Sequence, residues 1–339
     1  MTECILIRLT DTTGTVGWGE IPVQAQNAAA SWNALTKQYA PRLLAHAWNR
    51  PTEVLQAWAE VSPAPGVQAG LDMACWALWS QQRLAPLAHS LGGSRTAVPA
   101  GARLELQADP ELVVRAANRA AGRGILRLRL DVAPGHDVEP VRALREVYPY
   151  LALQVDCGGR YTESPEHLAA LRALDSYGLV AIEQPFGATD LAAHTRLQRD
   201  LHTPLALGAE LDSLETLDRA IAVQAAGALR LRPARLGGLT VARRAHDRAV
   251  DAGWQVWCDN DAMVGPGLAA VTALATLPGV TLPSDLPGAA QSPGHSVLHP
   301  PVRVHDGIIP VPLTEPGLGY AVDEAVVAAR TAHSVTLRG

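Results

Sequence analysis

Residues 153–186, LQVDCGGRYTESPEHLAALRALDSYGLVAIEQPF, decide the fold. Two short apolar runs, one tipped by Asp156 and the other by Glu183, are joined by a single helical stretch. Runs such as LALQVD and LVAIEQPF, apolar and ending in a carboxylate with Gly or Pro close behind, have the form of buried parallel strands whose C-terminal ends open into a pocket. Either acid alone reads equally well as a helix cap. Two in succession point to a rim, because barrel enzymes build their sites at that end.

Working outward, strand-like runs recur at 98–106, 124–132, 151–156, 179–183, 204–208, 228–231, 255–259 and 279–282. Helical stretches lie between them. One example is 137–147, where Asp137 can cap the first turn and Val138, Val141 and Leu144 recur at helical spacing. Eight strands alternating with helices predict an α/β chain closed as a modified (β/α)8 TIM barrel. A doubly wound open sheet is the alternative, but Gly237-Gly238 lacks the GxGxxG frame of a dinucleotide turn.

Upstream, 3–9 and 16–20 read as a hairpin turning at 11–14, followed by helices at 28–44, 51–60 and 67–82, the last with Leu71, Cys75, Leu78 and Trp79 on one face. The expected domains are an α+β cap over 1–95, the barrel over 96–299, and a segment over 300–339 that packs back on the cap.

Composition narrows the function classes. The chain has 339 residues, 48% of them apolar, and a net charge of −5, with no basic stripe for nucleic acid. Its apolar runs fall short of the roughly 18 residues a membrane span needs. Cytoplasmic placement is expected, with four free thiols, since Cys4, Cys75, Cys157 and Cys258 show no zinc or disulfide spacing. Of 28 basic residues all but Lys37 are Arg. No lysine is therefore available to a site in the barrel.

The chain resembles the enolase superfamily on its muconate lactonising side, and within it N-acylamino acid racemases and o-succinylbenzoate synthases. The resemblance rests on GTVGWGE (14–20), ACWALWSQQ (74–82), SLGGSRTAVPAG (90–101), APGHDVEPVRALREVYP (133–149), VDCGGRYT (155–162), AIEQPF (181–186), RPARLGGL (232–239) and TLPSDL (281–286). It implies a capped barrel in which three strand-end carboxylates hold Mg²⁺ and lysines on either side of the substrate α-carbon move its proton. It also implies that the chain begins at the family's second strand, without the first strand and a mobile loop.

Residue by residue, the resemblance implies metal ligands at Asp156 and Glu183. The third ligand position falls on Gly208, with Glu210 two residues on as a substitute. The Lys-x-Lys pair falls on Arg129 and Asp131, or on Arg127 and Arg129 after a one-turn slip. The lysine of the sixth strand falls on Arg232. The seventh strand carries Asp259, Asn260, Asp261 and Met263 in place of the family's text. Arginine stays protonated and cannot act as a general base.

Catalysis, if retained, falls to Arg129, Asp131, Arg232 and Asp261, with Asp131 or Asp261 as base. Trp18, Met263, Arg129 and Arg232 would bind substrate. Mg²⁺ would be held weakly or not at all. Arg129 and Asp131 are expected to neutralise each other, leaving Arg232 free for a small carboxylate ligand unless Asp156 and Glu183 occupy it. Cys157, Cys258, His295 and His299 also stand near strand ends. No nucleic-acid or membrane partner is expected, and a homo-oligomer is compatible with the sequence. The competing reading is a catalytically silent barrel that serves as a binding or assembly partner.

Overall fold

The computed structural model describes residues 3–107, 109–187, 189–208, 211–286 and 296–339. Strands β1 (Cys4–Thr10) and β2 (Val16–Pro22) pair antiparallel. Their turn is fastened by the Asp11 carboxylate, which accepts from the backbone N–H groups of Thr13 and Thr15. Helix α1 (Pro65–Gln82) crosses the hairpin closely. A Cβ at position 19 would lie 1.9 Å from the Gly70 carbonyl oxygen, so glycine is required there. Ile21, Tyr39, Leu43, Val54, Trp58 and Leu71 form the core of this unit.

The second unit begins with β3 (Ala97–Pro99) and β4 (Gly101–Leu104). Helix and strand then alternate through α2 (Pro110–Ala121), β5 (Arg127–Asp131), α3 (Val138–Val147), β6 (Ala152–Asp156), α4 (Pro165–Asp175), β7 (Ala181–Glu183) and α5 (Leu191–Asp200). The alternation continues through β8 (Leu205–Leu207), α6 (Leu214–Ala222), β9 (Ala228–Leu231), α7 (Leu239–Asp251), β10 (Gln255–Cys258) and α8 (Pro266–Leu274).

Strands β4 to β10 form one parallel sheet in chain order. Residues 280–285 close it. The Asp285 N–H donates to the Cys258 carbonyl at 2.8 Å on one edge, and the Gly101 N–H donates to the Ser284 carbonyl at 2.8 Å on the other. The result is the eight-membered barrel expected from the sequence.

Outward-facing Leu128, Leu130, Val155, Ile182, Leu229 and Val256 pack under the helices. Inside, Ala181, Ala206 and Ala228 leave room for the Trp257 indole, which Leu282 also touches. The barrel interior is therefore filled by side chains and is no pore.

Several barrel helices carry their own N-caps, among them Asp109, Ser164, Asp190 and Ser213. Helices α7 and α8 begin instead at Gly238 and Gly265, which have no side chain to offer. The first unit supplies the missing caps. Asp72 on α1 accepts from the Thr240 N–H at 3.0 Å and from its hydroxyl at 2.6 Å. Glu20 on β2 accepts from the N–H groups of Val264, Gly265 and Gly267 at 2.9, 2.9 and 3.0 Å. Two buried acidic side chains thus dock the cap onto the helices that follow the sixth and seventh barrel strands.

The C-terminal segment touches both units. Strand β11 (Leu298–His299) pairs with β13 (Ala321–Val322), while β12 (Ile308–Pro310) pairs antiparallel with β3. Helix α9 (Glu324–Arg330) places Glu324 against Arg8 of the cap at 3.4 Å.

Candidate active site

Alternation along a strand sends every second side chain inward. On β5 that rule brings Arg127, Arg129 and Asp131 into the barrel; on β6 it brings Gln154 and Asp156; on β9 and just beyond, Arg230 and Arg232. The resulting arginines are graded by depth. Side-chain exposure rises from 0% at Arg127 through 3% at Arg129, 11% at Arg230 and 17% at Arg232 to 54% at Arg103 on β4.

Each of these five arginines is paired. At the bottom Arg127 donates to Asp285 and to Gln154, both at 2.5 Å, with its guanidinium over the Trp257 ring. Gln154 passes the chain of contacts upward by donating to Glu183 at 2.8 Å. In the middle Arg129 reaches Glu183 at 3.3 Å, Asp156 at 3.4 Å, Asp285 at 3.5 Å and Asp259 at 3.9 Å. Arg230 donates to Glu183 at 2.8 Å and to Asp259 at 2.5 Å and lies 3.7 Å from Asp156. Nearer the mouth Arg103 grips Asp131 through Nε and Nη2, the shorter contact being 2.6 Å, and Arg232 donates from Nε to Asp261 at 2.5 Å.

The electrostatics follow from this packing. Burial, with the Glu183 charge beside it, pushes the Asp156 carboxyl up to about 6 despite Arg129 and Arg230. Burial also works against ionised Asp259, but Arg230 and Arg129 overcome it and hold that carboxyl down at about 2. Asp261 goes the other way. Burial raises it, Arg232 only partly offsets that, and one oxygen, Oδ2, has no hydrogen-bond partner. Asp261 and Ala262 both adopt left-handed backbone, φ 51° and 65°, as does Gln184 after Glu183, so strain collects at the strand ends that face the mouth.

Several sequence expectations need correction. Asp131 is not the partner of Arg129; the two share a strand face, but Asp131 is held by Arg103 from the neighbouring strand. Asp156 and Glu183 do not occupy Arg232; Arg129 and Arg230 take them, and Arg232 turns to Asp261. Met263 is 1% exposed and belongs to the apolar core, whereas Trp18 is half-buried against that core. The resemblance would also turn the Trp18-Gly19-Glu20 stretch toward substrate, but Glu20 is a buried helix cap. Glu210 and His295 lie outside the described residues, and His299 is exposed. Cys157 and Cys258 are fully buried, and burial pushes both thiols up, away from nucleophilic thiolate.

Arg103, Arg230, Gln154 and Asp285 escaped the sequence reading. Arg230 had a visible signal, since Arg230-Leu231-Arg232 alternates like Arg127-Leu128-Arg129.

The set does not form an oxygen cage for a cation. Asp156 and Glu183 are turned to guanidiniums, position 208 has no carboxylate, and no three His, Cys, Asp or Glu side chains among the described residues are placed to hold a metal ion.

Residues 111–326 match the family model described as enolase C-terminal domain-like. The chain belongs to the enolase superfamily. An o-succinylbenzoate synthase of Geobacillus kaustophilus is 31% identical over 331 residues, covering 96% of this chain and 88% of the relative. An N-succinylamino acid racemase of Thermus thermophilus is 34% identical over 315 residues, covering 91% and 84%. The solved structure of a probable mandelate racemase from Alicyclobacillus acidocaldarius superposes with a TM-score of 0.91 at 30% identity, over 98% of this chain and 91% of that one. The superfamily's capped barrel is thus present over nearly the full length, and in this chain its inner polar layer is rich in paired arginines.

Proposed function

We propose that this chain is a member of the o-succinylbenzoate synthase and N-succinylamino acid racemase branch that does not carry out metal-assisted α-proton transfer, and that its barrel mouth recognises a small carboxylate compound. The observation that carries this reading is the pairing of Arg129 and Arg230 with Asp156, Glu183 and Asp259, which uses the groups a metal and a base would need. A general base must be free to accept a proton at working pH. Asp131 is gripped by two nitrogens of Arg103, and Asp261 faces Arg232. Lys37, the one lysine, belongs to the cap.

Recognition of a carboxylate falls to Arg232. Its partner, Asp261, is buried on a strained backbone with one unpaired oxygen, a high-energy arrangement in which a ligand carboxylate can replace Asp261 on the planar guanidinium. Thermal-shift screening of N-acylamino acids and dicarboxylates tests this. A stabilising ligand is expected for the native chain, and the shift disappears in a folded Arg232→Ala variant. If no carboxylate shifts the midpoint and Arg232→Ala only lowers it, Arg232 is a structural counter-ion and the barrel is a silent scaffold.

A further inference from the structure

We propose that Arg230 is a built-in substitute for a divalent cation. The inference rests on the metal-free reading above and explains how a barrel that gathers three carboxylates keeps them together.

Asp156, Glu183 and Asp259 come from β6, β7 and the end of β10 and meet on one guanidinium, at 3.7, 2.8 and 2.5 Å from Arg230. Carboxylates this close repel strongly in a water-poor interior unless positive charge sits among them. Arg230 and Arg129 together contribute two positive charges, the same as one divalent ion, and they do so covalently. The backbone also bars a further carboxylate on the neighbouring strand. Gly208 lies one step beyond the Leu207–Leu229 pair of β8 and β9, opposite Arg230. A Cβ at 208 would lie 2.5 Å from the Arg230 Cβ and 2.9 Å from its carbonyl oxygen. Both atoms are present whatever non-glycine residue stands at 230, so the close approach of β8 and β9 keeps position 208 without a side chain, and no carboxylate joins the cluster from there.

The consequence is that the folded state needs no divalent ion, and that removing the guanidinium creates the need. The test compares melting midpoints of the native chain and Arg230→Ala with EDTA and with millimolar Mn²⁺, together with Mn²⁺ electron paramagnetic resonance. The native midpoint is expected to be the same in EDTA and Mn²⁺. Arg230→Ala is expected to melt lower in EDTA, to regain much of the loss as Mn²⁺ is added, and to bind the ion saturably. Arg230→Gln, which keeps a polar, hydrogen-bonding side chain without the charge, serves if the alanine variant does not fold. Glu183→Gln in the same background should abolish the Mn²⁺ effect.

A folded Arg230 variant that is indifferent to Mn²⁺ overturns this proposal and leaves the proposed function standing. A native chain that itself binds Mn²⁺, with the binding lost in Glu183→Gln, overturns the proposed function as well.

Discussion

Arg129 meets four carboxylates at 3.3 to 3.9 Å, and its side chain is only 3% exposed. Removing one partner from a buried ionic group strands the rest, at a cost of about 3–5 kcal/mol. Arg129→Ala is therefore expected to lower unfolding stability by that order in urea titrations. Arg103 offers the contrast. It makes a shorter contact to Asp131, yet more than half of its side chain is in solvent, so screening leaves Arg103→Ala costing about 1 kcal/mol or less. Equal losses in the two variants would mean that the inner arginines are not desolvated in the way the barrel interior implies. The residue scale is also where the sequence was least legible. Partner choice depends on strand register, which sets Arg103 beside Arg129 and so within reach of Asp131, and no spacing within a single strand reveals it. Asp285 was missed for a related reason: the eighth strand was read as ending at 282, three residues before the carboxylate that holds Arg127.

At the scale of elements, Glu20 and Asp72 replace caps that α7 and α8 cannot provide for themselves. Glu20→Ala leaves two buried N–H groups, Gly265 and Gly267, and the part-buried Val264 N–H without an acceptor, each buried loss worth about 1–3 kcal/mol. Its expected phenotype is a loss of stability concentrated in the 259–267 segment, seen as faster hydrogen exchange there than in β6 or β7. Uniform acceleration across the barrel would contradict it.

Asp72 adds a dependence on pH. Burial, outweighing the Thr240 hydrogen bonds, raises its carboxyl from the ordinary 3.8 to about 7. Between those values the unfolded chain has released the proton and the folded chain still holds it, so folding stability falls as pH rises, by up to about 1.4 kcal/mol per pH unit. The contribution is complete below 3.8 and lost by about 7. Asp72→Asn does not titrate. Its stability deficit relative to the native chain should therefore shrink as pH rises across that window in denaturant titrations, and a deficit that grew would show that Asp72 is ionised when folded. These docking carboxylates were readable as residues but not as caps, because the helices they cap belong to another part of the chain.

For the whole molecule, the barrel was legible because its strands are short apolar runs between helical stretches, and 204–208 and 228–231 fall within a residue or two of the observed strands. The 98–106 run was read as one strand but splits at Ala100 into β3, which pairs with the C-terminal segment, and β4, which enters the barrel. That division reflects a long-range partner no local pattern can show. The same distinction separates fold from function here: outward-facing leucines pack the barrel against its helices, while the inward face carries Arg127, Arg129 and Arg230, each paired with a carboxylate of another strand.

The most direct measurement is deuterium incorporation at the α-carbon of an N-succinylamino acid in D₂O, followed by NMR with Mg²⁺ in excess. The account predicts exchange no faster than in buffer alone. Rapid exchange that is abolished by Asp131→Asn or Asp261→Asn in a folded protein would contradict it, by showing that one of these paired carboxylates is released to move a proton.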